Sequence, residues 1–257
     1  MKFQNCLGAI GLFAGLSILS CSANAITNIE SQRLSKTEDG TKGTASLTLD
    51  GREGNSDKIA FGSELKLIHS NDRHEWITIA SRDYAEVDKE INTDKTFLHV
   101  RHLHKHGANI GHETFVQHED DEFRLLSSRT LLGGGMRYTL TPKDSHQANS
   151  IGVGLFYEDE DYIGLGETND EETVRLNLYW SYKNKFRDHA TYTSTLYFQP
   201  SLEDLNDEKG LWQNALTVSV TSTISLSLKW DVVHDTNPPD DVVATETTYK
   251  TVLIYNF

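Results

Sequence analysis

Counted back from the C-terminus, every second side chain is aromatic or apolar: Phe257, Tyr255, Leu253 and, beyond the small Thr251, Tyr249. Alternate residues of an extended strand share a face, so this stretch has one apolar, aromatic-tipped face and one polar face. The same two-residue period recurs upstream. Ile59, Phe61, Leu65 and Leu67 share a face, and Val174, Leu176, Leu178, Trp180 and Tyr182 oppose Arg175, Asn177, Ser181 and Lys183. Leu216, Val218 and Val220 oppose Thr217 and Ser219, while Ile224, Leu226, Leu228, Trp230 and Val232 oppose Ser225, Ser227, Lys229 and Asp231. Helical periodicity is almost absent from Gly43 onward, and turn residues separate segments of roughly ten residues. Strands are expected near 43–50, 58–69, 74–84, 94–105, 111–119, 127–141, 149–158, 172–183, 189–199, 211–221, 224–234 and 246–257. Segments of about 9–11 residues suit strands that cross a bilayer at a tilt.

The first 25 residues read as a secretory leader. Lys2 supplies the positive start, Leu7 to Leu19 the apolar run, and Ala23-Asn24-Ala25 a small-x-small cleavage site. The apolar run is too short to span a bilayer as a helix. Ile18-Leu19-Ser20-Cys21 is a loose lipobox that would lipidate Cys21, but Leu19 suits it poorly and the Ala-x-Ala site fits better. Both cysteines, Cys6 and Cys21, leave with the leader, so neither a disulfide framework nor a cysteine nucleophile is expected. Residues 26–42 form a polar lead-in, expected in the periplasm, and residues 43–257 a single β-domain. With 38 Asp+Glu against 24 Lys+Arg the chain carries a formal charge of −14, which argues against a nucleic-acid partner.

Alternation alone also fits a soluble periplasmic sandwich that buries its apolar faces. The connections discriminate. Those expected on the outer side are acidic: Asp120-Asp121-Glu122, Glu158-Asp159-Glu160-Asp161 through Asp170-Glu171-Glu172, Glu203 to Glu208 and His234 to Asp241. Those on the periplasmic side are short and mixed or basic: Asn71-Asp72-Arg73, Lys105-His106-Gly107, Pro142-Lys143-Asp144, Lys183 to Asp188 and Thr221-Ser222-Thr223. Aromatic residues collect near strand ends at Trp76, Tyr84, Tyr138, Tyr157, Tyr162, Tyr182, Trp212, Tyr249 and Phe257, as interface girdles would require. The expected architecture is all-β: one antiparallel up-and-down transmembrane β-barrel of about twelve strands in the outer membrane of a Gram-negative bacterium. Tyr249, Leu253, Tyr255 and Phe257 mark the closing strand.

Asp121-Glu122-Phe123 with Leu126, Arg129 and Gly133-Gly134-Gly135 ahead of Tyr138 resembles the central signature of the YdiY-like, salt-induced outer-membrane proteins, domain of unknown function family 481. Gly54-Asn55, Pro200-Ser201-Leu202-Glu203-Asp204 and Asn237-Pro238-Pro239 before Tyr255-Asn256-Phe257 extend the resemblance over roughly residues 43–257. It implies an outer-membrane barrel tied to salt or acid induction, with no agreed catalytic residues to transfer. The expanded acidic loops depart from the family pattern and put a shared external ligand in doubt.

With apolar faces outward, Glu64, Lys66, Arg129, Arg137, Arg175, Lys229 and Asp231 point inward, where opposite charges either pair across the lumen or line a narrow aqueous path. Gly133, Gly135, Gly152 and Gly154 fall on the same face and leave room inside or relieve strain at a bend. His102-Leu103-His104-Lys105-His106, with His99 before it and His112 after, places His102 and His104 on one face at a spacing that chelates zinc or copper. No further ligand is fixed by spacing, so solvated interface histidines are the plainer reading. The acidic outer runs offer loose calcium or magnesium contacts to lipopolysaccharide phosphates but no dedicated ion loop or cofactor. His69 and Ser70 are adjacent and face opposite ways, so they form no nucleophile–base pair. The leading function is a non-enzymatic narrow pore or occluded barrel contributing to salt or acid tolerance. Its expected partners are outer-membrane lipids, lipopolysaccharide and, during insertion, the barrel-assembly machinery. The alternatives are a rim hydrolase using pairs such as Asp121 with His118 or Asp235 with His234, and the soluble sandwich.

Overall fold

The computed structural model describes residues 39–54, 57–122, 125–141, 146–162, 170–186, 189–238 and 242–257. The leader with Cys21, residues 26–38, Asn55, Phe123, Pro142-Lys143-Asp144, Arg187-Asp188 and Pro239 to Asp241 lie outside them. Twelve strands follow in order: β1 Gly40–Arg52, β2 Lys58–Ser70, β3 His74–Val87, β4 Glu90–Lys105, β5 Ile110–Asp121, β6 Leu126–Thr139, β7 Gln147–Tyr162, β8 Asp170–Phe186, β9 Ala190–Pro200, β10 Glu208–Ser219, β11 Ile224–Asp235 and β12 Thr245–Asn256. Each pairs antiparallel with its sequence neighbours, and β12 pairs back onto β1, giving a closed barrel. Closure leaves no unpaired sheet edge, which is what a hydrocarbon environment demands of a β-structure.

The two faces are inverted relative to a soluble protein. Outward Leu49, Leu132 and Leu228 are 82%, 64% and 54% exposed, whereas inward Arg129 and Glu158 are 0% exposed. Such a distribution is stable only if hydrocarbon covers the outside; a sandwich would have buried those leucines. Outward aromatics form two belts. Phe61 on Tyr84, Tyr157, and the run Trp212–Trp230–Tyr249 lie towards one end. Trp76, Tyr138, Trp180 with Tyr182, and Tyr255 with Phe257 lie towards the other. Tyr162 departs from the expected girdle: it follows the inward register of β7 and its hydroxyl donates to Glu160 at 2.9 Å.

Several boundaries also differ from the sequence expectation. Gly40, Thr41 and Lys42 of the expected lead-in already pair with Ser70, His69 and Ile68, so β1 begins before residue 43. Glu158 to Asp161 pair with Asp170 to Thr173, so these acidic runs are strand and not loop. Asp120 and Asp121 likewise pair with Thr96 and Lys95. The wall therefore stands taller at this acidic end, and β3 and β4 meet there through Asp88-Lys89 alone, both with positive φ (52° and 71°). Two consecutive left-handed residues give the twist that a two-residue hairpin requires. In the β9–β10 loop the Asp204 carboxylate accepts the main-chain and side-chain N–H of Asn206, which holds it below the usual carboxylate range.

The seam is the shortest pairing: four residue pairs join β1 to β12, against thirteen joining β1 to β2. Phe257 extends it, exchanging main-chain hydrogen bonds with Gly43 at 2.9 and 3.0 Å. Its ring occupies the space where a Cβ on Gly43 would stand, 2.3 Å from the nearest ring atom. Gly43→Leu should expel the ring and weaken closure by about 1–3 kcal/mol. The refolded variant should show a smaller fraction of fast, heat-modifiable species in unboiled detergent gels, and deletion of Phe257 should do the same.

Candidate functional site in the barrel interior

Inward alternation delivers charged side chains from neighbouring strands to one level near the acidic end. There Arg129 on β6 binds Glu119 on β5 at 2.8 Å, Glu160 on β7 at 2.9 Å, and Glu158. Glu158 also takes Arg175 on β8 and, at 3.3 Å, Lys209 on β10. Lys209 reaches Glu160 at 2.6 Å, Arg175 reaches Asp207 at 2.7 Å, and Lys95 on β4 faces Glu119 and Asp121 at 3.7 and 3.5 Å. The lattice thus runs from β4 to β10, and the Lys209 contacts cut a chord past β8 and β9. Opposite charges this close, away from water, attract far more strongly than surface pairs, and each offsets the other's desolvation.

Beneath it lies a layer of rings and small residues. Phe115, Leu131 and Phe156 pack together, with Phe115 and Phe156 filling the space over Gly133. Tyr179 of β8 lies across Gly152 of β7, where any Cβ would stand 1.9 Å from the ring, and its hydroxyl donates to Glu113 of β5 at 2.9 Å. Glu113 also accepts from Arg101 at 3.1 Å, and Arg137 donates to the Tyr179 hydroxyl at 3.1 Å and to Ser150 at 2.9 Å. Two more apolar clusters face inward, Ile68–Ile77–Ile79–Phe97 and Tyr179–Tyr197–Leu211–Val233. Among the described residues a polar cavity of about 100 Å³ lies against β1–β4 and β9–β12. Glu64, Asp83, Asp231, Lys95, Lys229 and Lys250 line it, and Lys250 pairs with Asp83 at 3.2 Å.

Residues 45–257 match the family described as "Protein of unknown function, DUF481". The chain belongs to this family. Among curated proteins none matches the sequence. Among solved structures the DUF481 chain is similar in fold to the NanC porin, at 10% identity over 83% of this chain and 98% of that one, with a TM-score of 0.52. It is likewise similar to an outer membrane channel from Pseudomonas putida, at 13% identity over 86% and 96% of the two chains, with a TM-score of 0.50. Both have the outer-membrane barrel fold, and this DUF481 protein shares it.

The seven charged residues singled out by alternation fall into three groups in this DUF481 barrel. Arg129 and Arg175 belong to the ion-pair lattice, Arg137 holds Tyr179, and Glu64, Lys229 and Asp231 face the cavity, with Lys66 two residues along β2 from Glu64 on the same face. Sequence reasoning missed Lys95, Glu119, Glu158, Glu160 and Lys209. The sequence expectation ends the strand at Glu158 and counts Glu158 to Asp161 in an acidic outer run, yet Glu158 and Glu160 continue the inward register of Gly152, Gly154 and Phe156, and that parity is the available signal. The pairs suggested for a rim hydrolase are not assembled. His118 faces out and bonds Thr130 at 3.1 Å while Asp121 faces in, and His234 faces out to Thr245 at 2.7 Å while Asp235 is buried.

Arg129→Ala would leave Glu119, Glu158 and Glu160 facing one another with one cation fewer. A loss of about 3–5 kcal/mol is expected, the usual cost of stranding a buried charge partner, read as a lower urea midpoint in detergent. Gly152→Val should displace Tyr179 from Glu113 and Arg137, and refolding should fail or give a barrel without its fast-migrating form.

Proposed function

We propose that this protein resides in the outer membrane as a mostly filled barrel with a narrow, polar passage along the wall formed by β1–β4 and β9–β12. The observation carrying this reading is the ion-pair lattice that ties β4 to β10 across the interior, with a cavity of about 100 Å³ beside it. A polar space of that size suits waters and small ions. The outward leucines, the two aromatic belts and the fold shared with outer-membrane barrels support the location. The acidic end would then face outward, where divalent cations bridge its carboxylates to lipopolysaccharide phosphates, and the barrel-assembly machinery would recognise the closing strand. A contribution to salt or acid tolerance is consistent with a barrel that adds protein to the membrane without admitting solutes.

The same geometry supports a binding or structural role over catalysis, because the inward groups are committed to one another as charge partners. Recording from purified protein in planar bilayers tests the proposal. Wild type should pass small monovalent ions with low conductance and should not admit a disaccharide in liposome-swelling assays. Asp83→Asn together with Asp231→Asn removes two of the cavity's three carboxylates, leaves its three lysines, and should move the reversal potential towards anion preference. Disaccharide permeation through wild type would overturn the narrow passage, and complete absence of conductance would leave a closed barrel.

A further inference from the structure

Five histidines gather on the outward face at the end opposite the acidic rim. His74 of β3, His104 of β4 and His112 of β5 are direct register partners across three strands. His102 and His106 stand two residues to either side of His104 along the chain, so the rings form a cross centred on His104. Ring centroids of His104 lie 4.6, 4.9 and 5.1 Å from those of His74, His106 and His112. His74 Nδ1 is 2.9 Å from His102 Nε2 and 3.4 Å from His104 Nδ1, and His106 Nε2 is 2.6 Å from His112 Nδ1. Among the described residues these rings hydrogen-bond only one another, with no carboxylate among their partners. Trp76 stacks on His102 at 4.3 Å and fixes that ring from the side.

We propose that this cross is a binding site for a zinc- or copper-class divalent cation, with His74, His102 and His104 as ligands and the His106–His112 pair beside them as the source of a fourth. Two nitrogens at about 2.05 Å from a tetrahedral zinc stand about 3.3 Å apart, close to the spacings around His74 Nδ1. A nitrogen-to-nitrogen contact needs a shared proton between two lone pairs, and a borderline divalent cation such as Zn²⁺ or Cu²⁺ replaces that proton while satisfying both. As they stand, no three ligating side chains among the described residues meet the geometry for holding a metal. The nitrogens pair instead of converging, and each ring has two side-chain torsions about which it can turn towards a shared ion. The strand register supplies the rest, because it sets the Cβ atoms of His74, His104 and His112 side by side on a rigid sheet. Imidazoles select zinc, copper or nickel over calcium and magnesium, which prefer oxygen.

Tag-free protein refolded in detergent is titrated with Zn²⁺ by calorimetry at neutral pH, and with Cu²⁺ under electron paramagnetic resonance. About one equivalent of Zn²⁺ should bind, Ca²⁺ should not compete, and bound Cu²⁺ should show coupling to several nitrogens. His104→Ala and His102→Gln, each checked for heat-modifiable folding, should weaken Zn²⁺ by at least about tenfold. Wild type that takes up neither ion, variants that bind as tightly as wild type, or Zn²⁺ displaced by Ca²⁺ would each overturn the site; the last would place the ion on carboxylates.

Discussion

Glu158 takes three cations from three strands, Arg129 of β6, Arg175 of β8 and Lys209 of β10. Outside the barrel, packing against lipid gives little preference for one arrangement of strands over another, since one leucine meets hydrocarbon much as the next does. The interior has to specify the shape. A carboxylate shared by three cations does so because moving any one strand strips a charge of its partner, a cost of several kcal/mol away from water. Lys209 matters most in this respect, since its contact with Glu160 spans strands that are not neighbours. Ladder hydrogen bonds fix each strand to the next, whereas only such chords fix the cross-section.

The glycines are the counterpart of that filling. Tyr179 reaches Glu113 only because β7 offers Gly152 beneath its ring, and Phe115 leans over β6 only because Gly133 has no side chain. Gly135 and Gly154 are register partners whose backbones approach so closely that a Cβ on either would meet main-chain atoms of the other strand at 2.3–2.8 Å. Bare backbone at the β6–β7 pair therefore lets the two strands approach closely and lets rings from β5 and β8 lie across them. Large side chains and absent ones are complementary here: Phe115, Phe156 and Tyr179 lie over positions that hold no side chain.

How much of this was legible follows from what alternation can encode. Strand number, order and sidedness came through because the apolar face of each strand is continuous, as from Val174 to Tyr182. Strand ends did not, because Glu158-Asp159-Glu160-Asp161 is a charge run by composition and a strand by parity. Composition conceals that Glu158 and Glu160 join the lattice, and only parity shows that Tyr162 faces inward. Inward apolar residues such as Ile77, Ile79, Phe156 and Leu211 were also unforeseen. A barrel interior was expected to be polar, but a filled one needs the same close packing as any core. Register between distant strands, and hence the Lys209 chord, is a property of closure that no local pattern contains.

The histidine cross obeys a different logic from either face. Many inward charges meet an opposite charge, as Arg129, Arg175 and Lys209 meet Glu158, and large apolar side chains dominate the outer face between the belts, yet among the described residues these five rings hydrogen-bond only one another. Their neighbours show that the position was not simply polar by default. The same level of the outer surface carries Trp76 and Tyr138, side chains suited to the membrane interface on their own account. One or two histidines among them would be ordinary interface residues. Five, drawn from β3, β4, β5 and the turn after β4 and brought into contact by register, need either a shared network of protons or a cation to sit among their lone pairs. Only the second makes use of the His102-x-His104-x-His106 spacing, which keeps three imidazoles within reach of one another along a single strand and its turn.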